Sequence, residues 1–290
     1  MSKVFLVTGS SRGLGRQIAE KVLAAGHSLV ATARRPEQLA DLVERHGDRV
    51  RAVALDVTDP AAARAAVDIA VAAFGRLDVV VNNAGYANSG SVEDTPAEDF
   101  RAQVDANLFG VVNVTKAALP VLREQGAGHV IQVSSVGGRV TTPGLSAYQA
   151  AKFAVGGFSE VLAKEVAPLG VKVTVLEPGG MRTDWAGSSM EVHPVSPAYA
   201  PTVGAVNELR TTLMARAASD PAKVADVVLR VADLDEPPVR LLLGSDAVRF
   251  AAQVEQARAE SDAKWSELSL STDYADLTEA NTDPLATLRG

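Results

Sequence analysis

A tyrosine and a lysine four positions apart are the strongest candidates for chemistry in this sequence. Tyr148 and Lys152 lie in a stretch predicted to be helical, 147–167, and side chains at i and i+4 share one helix face. A phenol has a reference pKa near 10, so proton transfer at neutral pH requires lowering it by about three units, roughly 4 kcal/mol. A cation about 4 Å away supplies energy of that order at an effective dielectric near 20. We therefore expect Tyr148 to transfer a proton with its pKa lowered by Lys152, although a solvent-exposed pair has the same spacing.

A glycine-rich turn indicates a second kind of chemistry, the binding of phosphate. The run T-G-S-S-R-G-L-G, 8–15, follows the first predicted strand and opens the first predicted helix. Glycine allows a tight turn close to a pyrophosphate, and a helix N-terminus supplies free N–H groups and a positive dipole end. The turn therefore predicts a bound dinucleotide, with a purely structural turn as the alternative.

These motifs need a scaffold, and short β-branched runs alternate with helical spacing along the chain. Predicted strands cover 4–8, 28–32, 50–55, 79–82, 129–133, 172–176 and 239–243, and predicted helices cover 14–25, 36–46, 60–74, 97–121 and 147–167. Continuous apolar strands are typical of a parallel sheet that helices cover on both faces. Right-handed crossovers then give a doubly wound, seven-stranded α/β domain that binds ligands at the carboxyl ends of its strands.

Composition excludes several classes of function. The 290 residues are 47% hydrophobic and 22% charged, and there is no cysteine, which excludes disulfides, thiolate metal sites and cysteine nucleophiles. The net charge is −7 without a basic block, so we expect neither nucleic acid nor a membrane surface as a partner. The opening apolar run 4–7 is too short for a signal segment, and we expect a cytoplasmic protein.

Metal chemistry is not expected either. The histidines are His27, His46, His129 and His193. None of them has a neighbour at metal-ligand spacing, so the sequence predicts no catalytic metal.

The motifs together resemble the short-chain dehydrogenase/reductase family, in its single-domain branch. T-G-x-x-x-G-x-G, the N-N-A-G run at 82–85 and Y-x-x-x-K occur in order between about Lys3 and Leu243. The resemblance implies a Rossmann-type fold. It also implies an oxidoreductase that passes hydride between a nicotinamide and a carbonyl or secondary alcohol, with Tyr148 giving the proton and Lys152 also holding the nicotinamide ribose.

The resemblance assigns two further catalytic residues. Ser135 has the offset from Tyr148 of the family's serine, which donates to the substrate oxygen as negative charge builds there; Ser134 is the alternative. Asn107 matches the family's asparagine, which holds a helix distortion and a water that links the lysine to solvent.

The second strand indicates which cofactor is bound. In the family this strand ends in an acidic residue when the cofactor is NAD, because a carboxylate accepts from the ribose 2′-OH. Here Ala33 is followed by Arg34 and Arg35, and Arg12 lies inside the glycine turn. Guanidinium groups bind a 2′-phosphate that a carboxylate would repel. The resemblance therefore implies NADP(H), with arginines that bind no ligand as the alternative.

The other cofactor contacts implied by the resemblance come from the strand ends, the catalytic helix and the run after the sixth strand. Asp56 would hold the adenine amino group, or only cap its own turn. The full set is Gly9, Ser11, Arg12, Gly13, Leu14, Gly15, Arg34, Arg35, Asp56, Val57, Asn83, Ala84, Gly85, Tyr148, Lys152, Pro178, Gly179 and Thr183.

The segment 178–218, here called the lid, breaks the alternating pattern and in the family closes over the substrate. Its large side chains are Met181, Trp185, Met190, Val192, Tyr199, Val203, Leu209 and Met214. They predict a mainly apolar substrate pocket, unless they only pack the lid onto the body. We expect a domain over 1–244 and a C-terminal extension over 245–290 with a helix to about Leu268, and by resemblance a homodimer or homotetramer.

The sequence thus predicts NADPH-dependent reduction of an apolar ketone or aldehyde, or oxidation of the matching secondary alcohol. An NADP(H)-binding sensor without turnover is the alternative. A sensor predicts a broken catalytic set, whereas Asn107, Ser135, Tyr148 and Lys152 are all present.

Overall fold

The computed structural model describes residues 2–182 and 190–277, with the backbone alone at 211, 213 and 214. Its strands are β1 (Val4–Val7), β2 (Ser28–Ala33), β3 (Val50–Ala54), β4 (Val79–Asn82), β5 (Gly128–Val133), β6 (Val171–Pro178) and β7 (Arg240–Leu243). They form one sheet in the order β3-β2-β1-β4-β5-β6-β7, and every neighbouring pair is parallel. The predicted Rossmann-type, doubly wound sheet is confirmed.

Helices connect the strands and cover both faces of the sheet, and one further helix follows the last strand. They are α1 (Gly13–Ala24), α2 (Ala40–His46), α3 (Pro60–Phe74), α4 (Ala97–Val104), α5 (Gly110–Gln125), α6 (Ser146–Val166), α7 (Ala205–Ala215), α8 (Pro221–Ala232) and α9 (Ser245–Leu270). A 3₁₀ turn over Pro36–Leu39 precedes α2.

The core consists of two apolar layers, one on each face of the sheet. Within β1, Phe5 and Val7 belong to one layer and Leu6 to the other, as the two-residue repeat of a strand requires. The first layer includes Ile18 of α1, and the second includes Leu122 of α5; both are fully buried. The sheet is therefore buried on both faces, and its carboxyl edge is left to hold a ligand.

One predicted helix differs from the structure in a way that matters for the site. The helix predicted over 97–121 is divided into α4 and α5 by a π-helical turn, Asp105–Phe109. Asn107 Nδ2 donates to the carbonyl oxygens of Gln103 at 2.8 Å and Tyr86 at 2.7 Å. Because this side chain bonds the carbonyl one turn before it, it competes with the regular helix ladder.

The lid and the segment after it are more helical than the sequence predicts. The lid contains α7, and the unpredicted α8 follows it. Asp220 caps α8 by accepting from the N–H of Ala222 at 2.8 Å, and Val224 and Val228 are buried one turn apart. A capped amphipathic helix thus covers a core face that the sequence pattern left open.

The chain divides into two compact units, residues 1–250 and 251–290. The first unit contains the sheet and the start of α9, and the second contains the remainder of α9. The predicted division at 244 stays a prediction. Within residues 2–182 and 190–277, no helix is both long and apolar enough to cross a membrane.

A buried carboxylate fixes the end of β6. Glu177 is fully buried, and its Oε2 lies 2.7 Å from Arg139 Nη2 while its Oε1 lies 3.1 Å from Arg240 Nε. Arg240 also contacts Glu160 of α6 at 2.8 Å. The network therefore joins β6 and β7 to the turn after Ser135 and to the helix of Tyr148.

Replacing Glu177 with alanine removes the buried carboxylate that two partly buried guanidinium groups share. We expect Glu177→Ala to lower the free energy of unfolding by about 3–5 kcal/mol, measured by urea denaturation. The control Glu160→Ala removes a half-exposed partner of the same network and should cost only about 0–1 kcal/mol. Equal small losses in both variants would show that the burial of Glu177 has no energetic consequence.

Candidate active site

The carboxyl ends of the strands surround a cavity of about 540 Å³, a size typical of small-molecule sites. The cavity wall includes nearly all residues that the sequence predicts for the cofactor and the chemistry. These are Gly9, Ser11, Arg12, Gly13, Leu14, Gly15, Arg34, Asp56, Val57, Asn83, Ala84, Gly85, Asn107, Ser135, Tyr148, Lys152, Pro178 and Gly179. Arg35 is not in the wall; it is exposed and immediately precedes the 3₁₀ turn. Thr183 lies outside the described residues.

The glycine turn has the geometry that a pyrophosphate requires. Gly9 and Gly13 have φ values of +69° and +55°, a region that other residues rarely adopt. A Cβ on Gly15 would lie 2.2 Å from the carbonyl oxygen of Gly9. Helix α1 begins without a side-chain cap and without an acidic residue in its first turn, so its leading N–H groups are left for an anion.

The turn is joined to the end of β4 by hydrogen bonds. Thr8 Oγ1 accepts from the N–H groups of Asn83 and Ala84, each at 2.9 Å. Asn83 Nδ2 donates in return to the carbonyl oxygen of Thr8 at 2.9 Å. The N-N-A-G run therefore supports the glycine turn as well as lining the cavity.

The end of the cavity beside β2 is basic. Ala33 ends β2, and both Arg34 and Arg12 line the cavity. In the part of the chain that the structure describes, no carboxylate forms a salt bridge with either arginine. Asp56 accepts from the N–H of Thr58 at 3.0 Å and from its hydroxyl at 2.8 Å, and these bonds lower the pKa of the carboxyl. Asp56 thus caps its own turn while it lines the cavity.

The structure distinguishes between the two candidate serines. Ser135 is hydrogen-bonded to the hydroxyl of Tyr148, and its Oγ accepts from the N–H of Gly137 at 3.0 Å. Ser134 Oγ instead lies 3.4 Å from the carbonyl oxygen of Lys152. Ser135 is therefore the serine whose side chain contacts the hydroxyl of Tyr148.

Burial controls the ionisation of the tyrosine and the lysine. It raises the pKa of Tyr148 to about 12, against a smaller lowering by the Ser135 hydrogen bond. It lowers the pKa of Lys152 to about 8. Lys152 Nζ donates to the carbonyl oxygen of Val133 at 3.0 Å and lies 5.6 Å from the centroid of the Tyr148 ring. The expectation that Lys152, together with an oxidised nicotinamide, lowers the pKa of Tyr148 stays a prediction, since in the protein by itself desolvation outweighs the Ser135 hydrogen bond.

Asn107 lies beside the lysine at the π-helical turn. Its Oδ1 is buried and has no partner among the described residues. A Cβ on Gly85 would lie 2.5 Å from this oxygen and 3.7 Å from Lys152 Nζ. Both polar groups therefore approach the same glycine, where an additional side chain would fill the space that a water could use.

Two residues of the site have no signal in the local sequence pattern. Tyr86 lines the cavity after the N-N-A-G run. Asp246, at the start of α9, accepts from the N–H of Gly180 at 2.8 Å and so holds the run after Pro178. Nothing in the spacing around Asp246 indicates this contact, which joins residues 66 positions apart.

Comparison with known proteins identifies the family. The sequence model of the short chain dehydrogenase family matches residues 3–194 of this chain. The chain therefore belongs to the short-chain dehydrogenase family and is an oxidoreductase of that family, whose members bind nicotinamide cofactors and act on small molecules.

Similar proteins extend over almost the whole chain. Oxidoreductase BOA17 of Botryotinia fuckeliana is 57% identical over 273 residues, which cover 94% of this chain and 100% of that protein. A short-chain dehydrogenase from Streptomyces avermitilis has a TM-score of 0.88 and 40% identity, covering 94% of this chain and 100% of its own. A short chain dehydrogenase/reductase from Burkholderia phymatum in complex with NAD has a TM-score of 0.76 and 25% identity, covering 95% and 98%.

The buried lysine predicts a dependence of stability on pH. The pKa of Lys152 falls from 10.5 to about 8 on folding, so below pH 8 the folded state carries the full cost of the charge, roughly 3 kcal/mol. This cost decreases as the pH rises from 8 to 10.5 and is absent above. We therefore compare the free energies of unfolding of Lys152→Met and of the natural protein. The value for the variant minus that for the natural protein should fall by about 3 kcal/mol between pH 7 and pH 11.

The measurement is urea denaturation of both proteins across this pH range. Lys164→Met, at an exposed position of the same helix, serves as the control and should give a difference that does not depend on pH. A flat difference for Lys152→Met as well would show that Lys152 is not desolvated.

Proposed function

We propose that the chain reduces a ketone or aldehyde with NADPH, or oxidises the matching secondary alcohol with NADP⁺. One observation carries this proposal. The hydrogen-bonded pair of Ser135 and Tyr148 lines the same cavity as the uncapped start of α1 and the glycine turn. A cofactor on that turn and a carbonyl at that pair share one site.

The protein residues would bind the carbonyl oxygen and protonate it. When bound, the cofactor supplies hydride to the carbonyl carbon. Ser135 and Tyr148 donate to the oxygen as negative charge builds there, and Tyr148 then gives up its proton. Since burial holds the pKa of Tyr148 at about 12, the residue is protonated at neutral pH, which is the form that reduction needs.

Lys152 and Asn107 have supporting roles in this proposal. The ammonium group of Lys152 is placed to hold the nicotinamide ribose and to stabilise the phenolate that forms at Tyr148. Asn107 Oδ1, near the same Gly85, is an acceptor for a water that carries a replacement proton. Both roles rest on the resemblance and on the shared position at Gly85.

The basic end of the cavity supports NADP(H) over NAD(H). Arg12 and Arg34 line it, and the position that ends β2 is Ala33 rather than an acidic residue. Two guanidinium groups can bind a 2′-phosphate, and no carboxylate is present at Ala33 to accept from a 2′-hydroxyl. The similar Burkholderia structure holds NAD. The proposed choice of NADP(H) over NAD(H) therefore depends on these residues and not on the fold.

A cluster of apolar side chains next to Tyr148 supports the proposal that the substrate is apolar. Ala87 and Met190 are buried and form a cluster with Tyr148, and Leu145 packs against it. A substrate whose carbonyl reaches the tyrosine would meet hydrocarbon on this side. Trp185 of the lid lies outside the described residues.

Cofactor choice can be tested with a charge reversal. We expect Arg34→Glu to lower the ratio of kcat/KM for NADPH to that for NADH by about 30- to 100-fold, because a carboxylate repels the 2′-phosphate and can accept from a 2′-hydroxyl. Arg35→Glu makes the same charge change one residue away from the cavity wall and should have a much smaller effect. Equal effects of both variants would contradict the assignment of Arg34.

Proton transfer can be tested with Tyr148→Phe. We expect the rate of NADPH-dependent reduction of apolar and aromatic ketones to fall by about 10²- to 10⁴-fold, because the proton donor is lost. NADPH affinity, followed by fluorescence titration, should stay nearly unchanged. Undiminished turnover would remove Tyr148 from the mechanism, and NADPH binding without turnover in the natural protein would support a sensor.

A further inference from the structure

Helix α7 of the lid carries two buried hydrogen-bond donors without acceptors. Arg210 Nε and Asn207 Nδ2 are both shielded from solvent, and neither has a partner in the described part of the chain. Their positions are three apart, so the two side chains share one face of α7. Buried donors are satisfied in most proteins, so this helix face requires an explanation.

The contacts of these two residues locate that face beside the candidate catalytic tyrosine. Arg210 Nη1 lies 3.2 Å from Met190 Sδ, and Met190 belongs to the apolar cluster that contains Tyr148. Asn207 Oδ1 accepts from Ser89 Oγ at 2.7 Å, and Ala87 of the same segment is in that cluster. The two unpartnered donors therefore lie on the substrate side of Tyr148.

Three polar side chains of the lid have a carboxylate partner, which Arg210 lacks among the described residues. His193 Nε2 lies 2.9 Å from Asp99 Oδ2, Ser196 Oγ lies 3.1 Å from Asp94, and the Tyr199 hydroxyl lies 2.8 Å from Glu93. Each of these bonds joins the lid to a carboxylate around α4.

The contact that Arg210 does make is a weak one. Its guanidinium touches a thioether, which is a poor acceptor, and within residues 2–182 and 190–277 no carboxylate forms a salt bridge with it. The side chain is only partly buried, but its Nε is shielded from water and leaves a hydrogen bond unmade, and arginine keeps its charge rather than losing a proton.

We infer that Arg210 and Asn207 bind an anionic group of the substrate, which makes the substrate an oxo acid: a carbonyl compound with an apolar body and a carboxylate. The inference rests on the proposed function, because it takes the carbonyl to be at Tyr148. The contact with Met190 uses Nη1, so the edge formed by Nε and Nη2 is left for a two-pronged contact with a carboxylate. Asn207 Nδ2 supplies a third donor.

The anion is not a phosphate of the cofactor. Arg210 and Asn207 contact Met190 and Ser89, whereas the glycine turn is bonded to the end of β4. The basic residues of that cavity, Arg12 and Arg34, lie at the end beside β2 and account for the cofactor's own charge. Arg210 therefore belongs to the substrate.

The test compares oxo acids with their methyl esters. A series with increasing separation of ketone and carboxylate is assayed with NADPH, and each ester is a neutral compound of nearly the same shape. We expect at least one acid to exceed its ester in kcat/KM by about tenfold or more, the effect of one charged hydrogen-bonded contact. Arg210→Gln should abolish this preference through a higher KM for the acid, while the ester is little affected.

Two further variants control for folding and for general charge. Asn207→Asp keeps an acceptor for Ser89 and adds a negative charge beside Arg210, so it should weaken the acid selectively. Arg216→Gln removes an exposed lid arginine and should leave the preference intact. Equal kcat/KM for every acid and its ester, or a preference that survives Arg210→Gln, would overturn the inference.

Calorimetric binding to the NADP⁺-saturated protein separates this inference from the proposed function. If no compound is turned over but an acid binds more tightly than its ester and loses that advantage in Arg210→Gln, the anion site stands and the proposed reaction fails. If turnover of the neutral esters is robust and no acid binds more tightly than its ester, the reaction stands and the anion site fails.

Discussion

The parallel pairing of β1 with β4 is the constraint on which the site depends. The chain builds β2 and β3 on one side of β1 and then places β4 on the other, so the connections after β1 and β4 leave in opposite directions and open a crevice. The hydroxyl of Thr8 joins the two sides of that crevice by accepting from Asn83 and Ala84. This contact helps to fix the position of the glycine turn relative to β4.

Burial of the catalytic pair is the second constraint, and it acts against the charges that the chemistry uses. Desolvation raises the pKa of Tyr148 and lowers that of Lys152, so both side chains are pushed toward their neutral forms. The protein offsets this with directed hydrogen bonds, from Ser135 to the phenol and from Lys152 to the carbonyl oxygen of Val133. A positively charged oxidised nicotinamide would add a charge that the protein does not itself provide at Tyr148.

The parts of the fold that the sequence predicts well are those that local patterns determine. The strand β4 and the helix α3 begin and end at the predicted residues, because apolar runs and the Asp59-Pro60 start are local signals. The π-helical turn was not predictable in the same way, since it depends on a bond from Asn107 to Tyr86 in a different element. Asp246 likewise reaches Gly180 only after β7 has joined the sheet.

The arginines near the site show the same contrast. The positions of some follow from the local sequence pattern, and the position of another depends on distant contacts. Arg12 lies within the glycine turn and Arg34 directly after β2, so the family resemblance could assign them to the cavity that both line. Arg210 is in a lid whose helix was not predicted, and only the packing of Met190 against Tyr148 relates it to the chemistry. The fold thus fixes the glycine-turn end of the cavity through the strand ends, while the lid side of Tyr148 is determined by side chains of a segment outside the sheet.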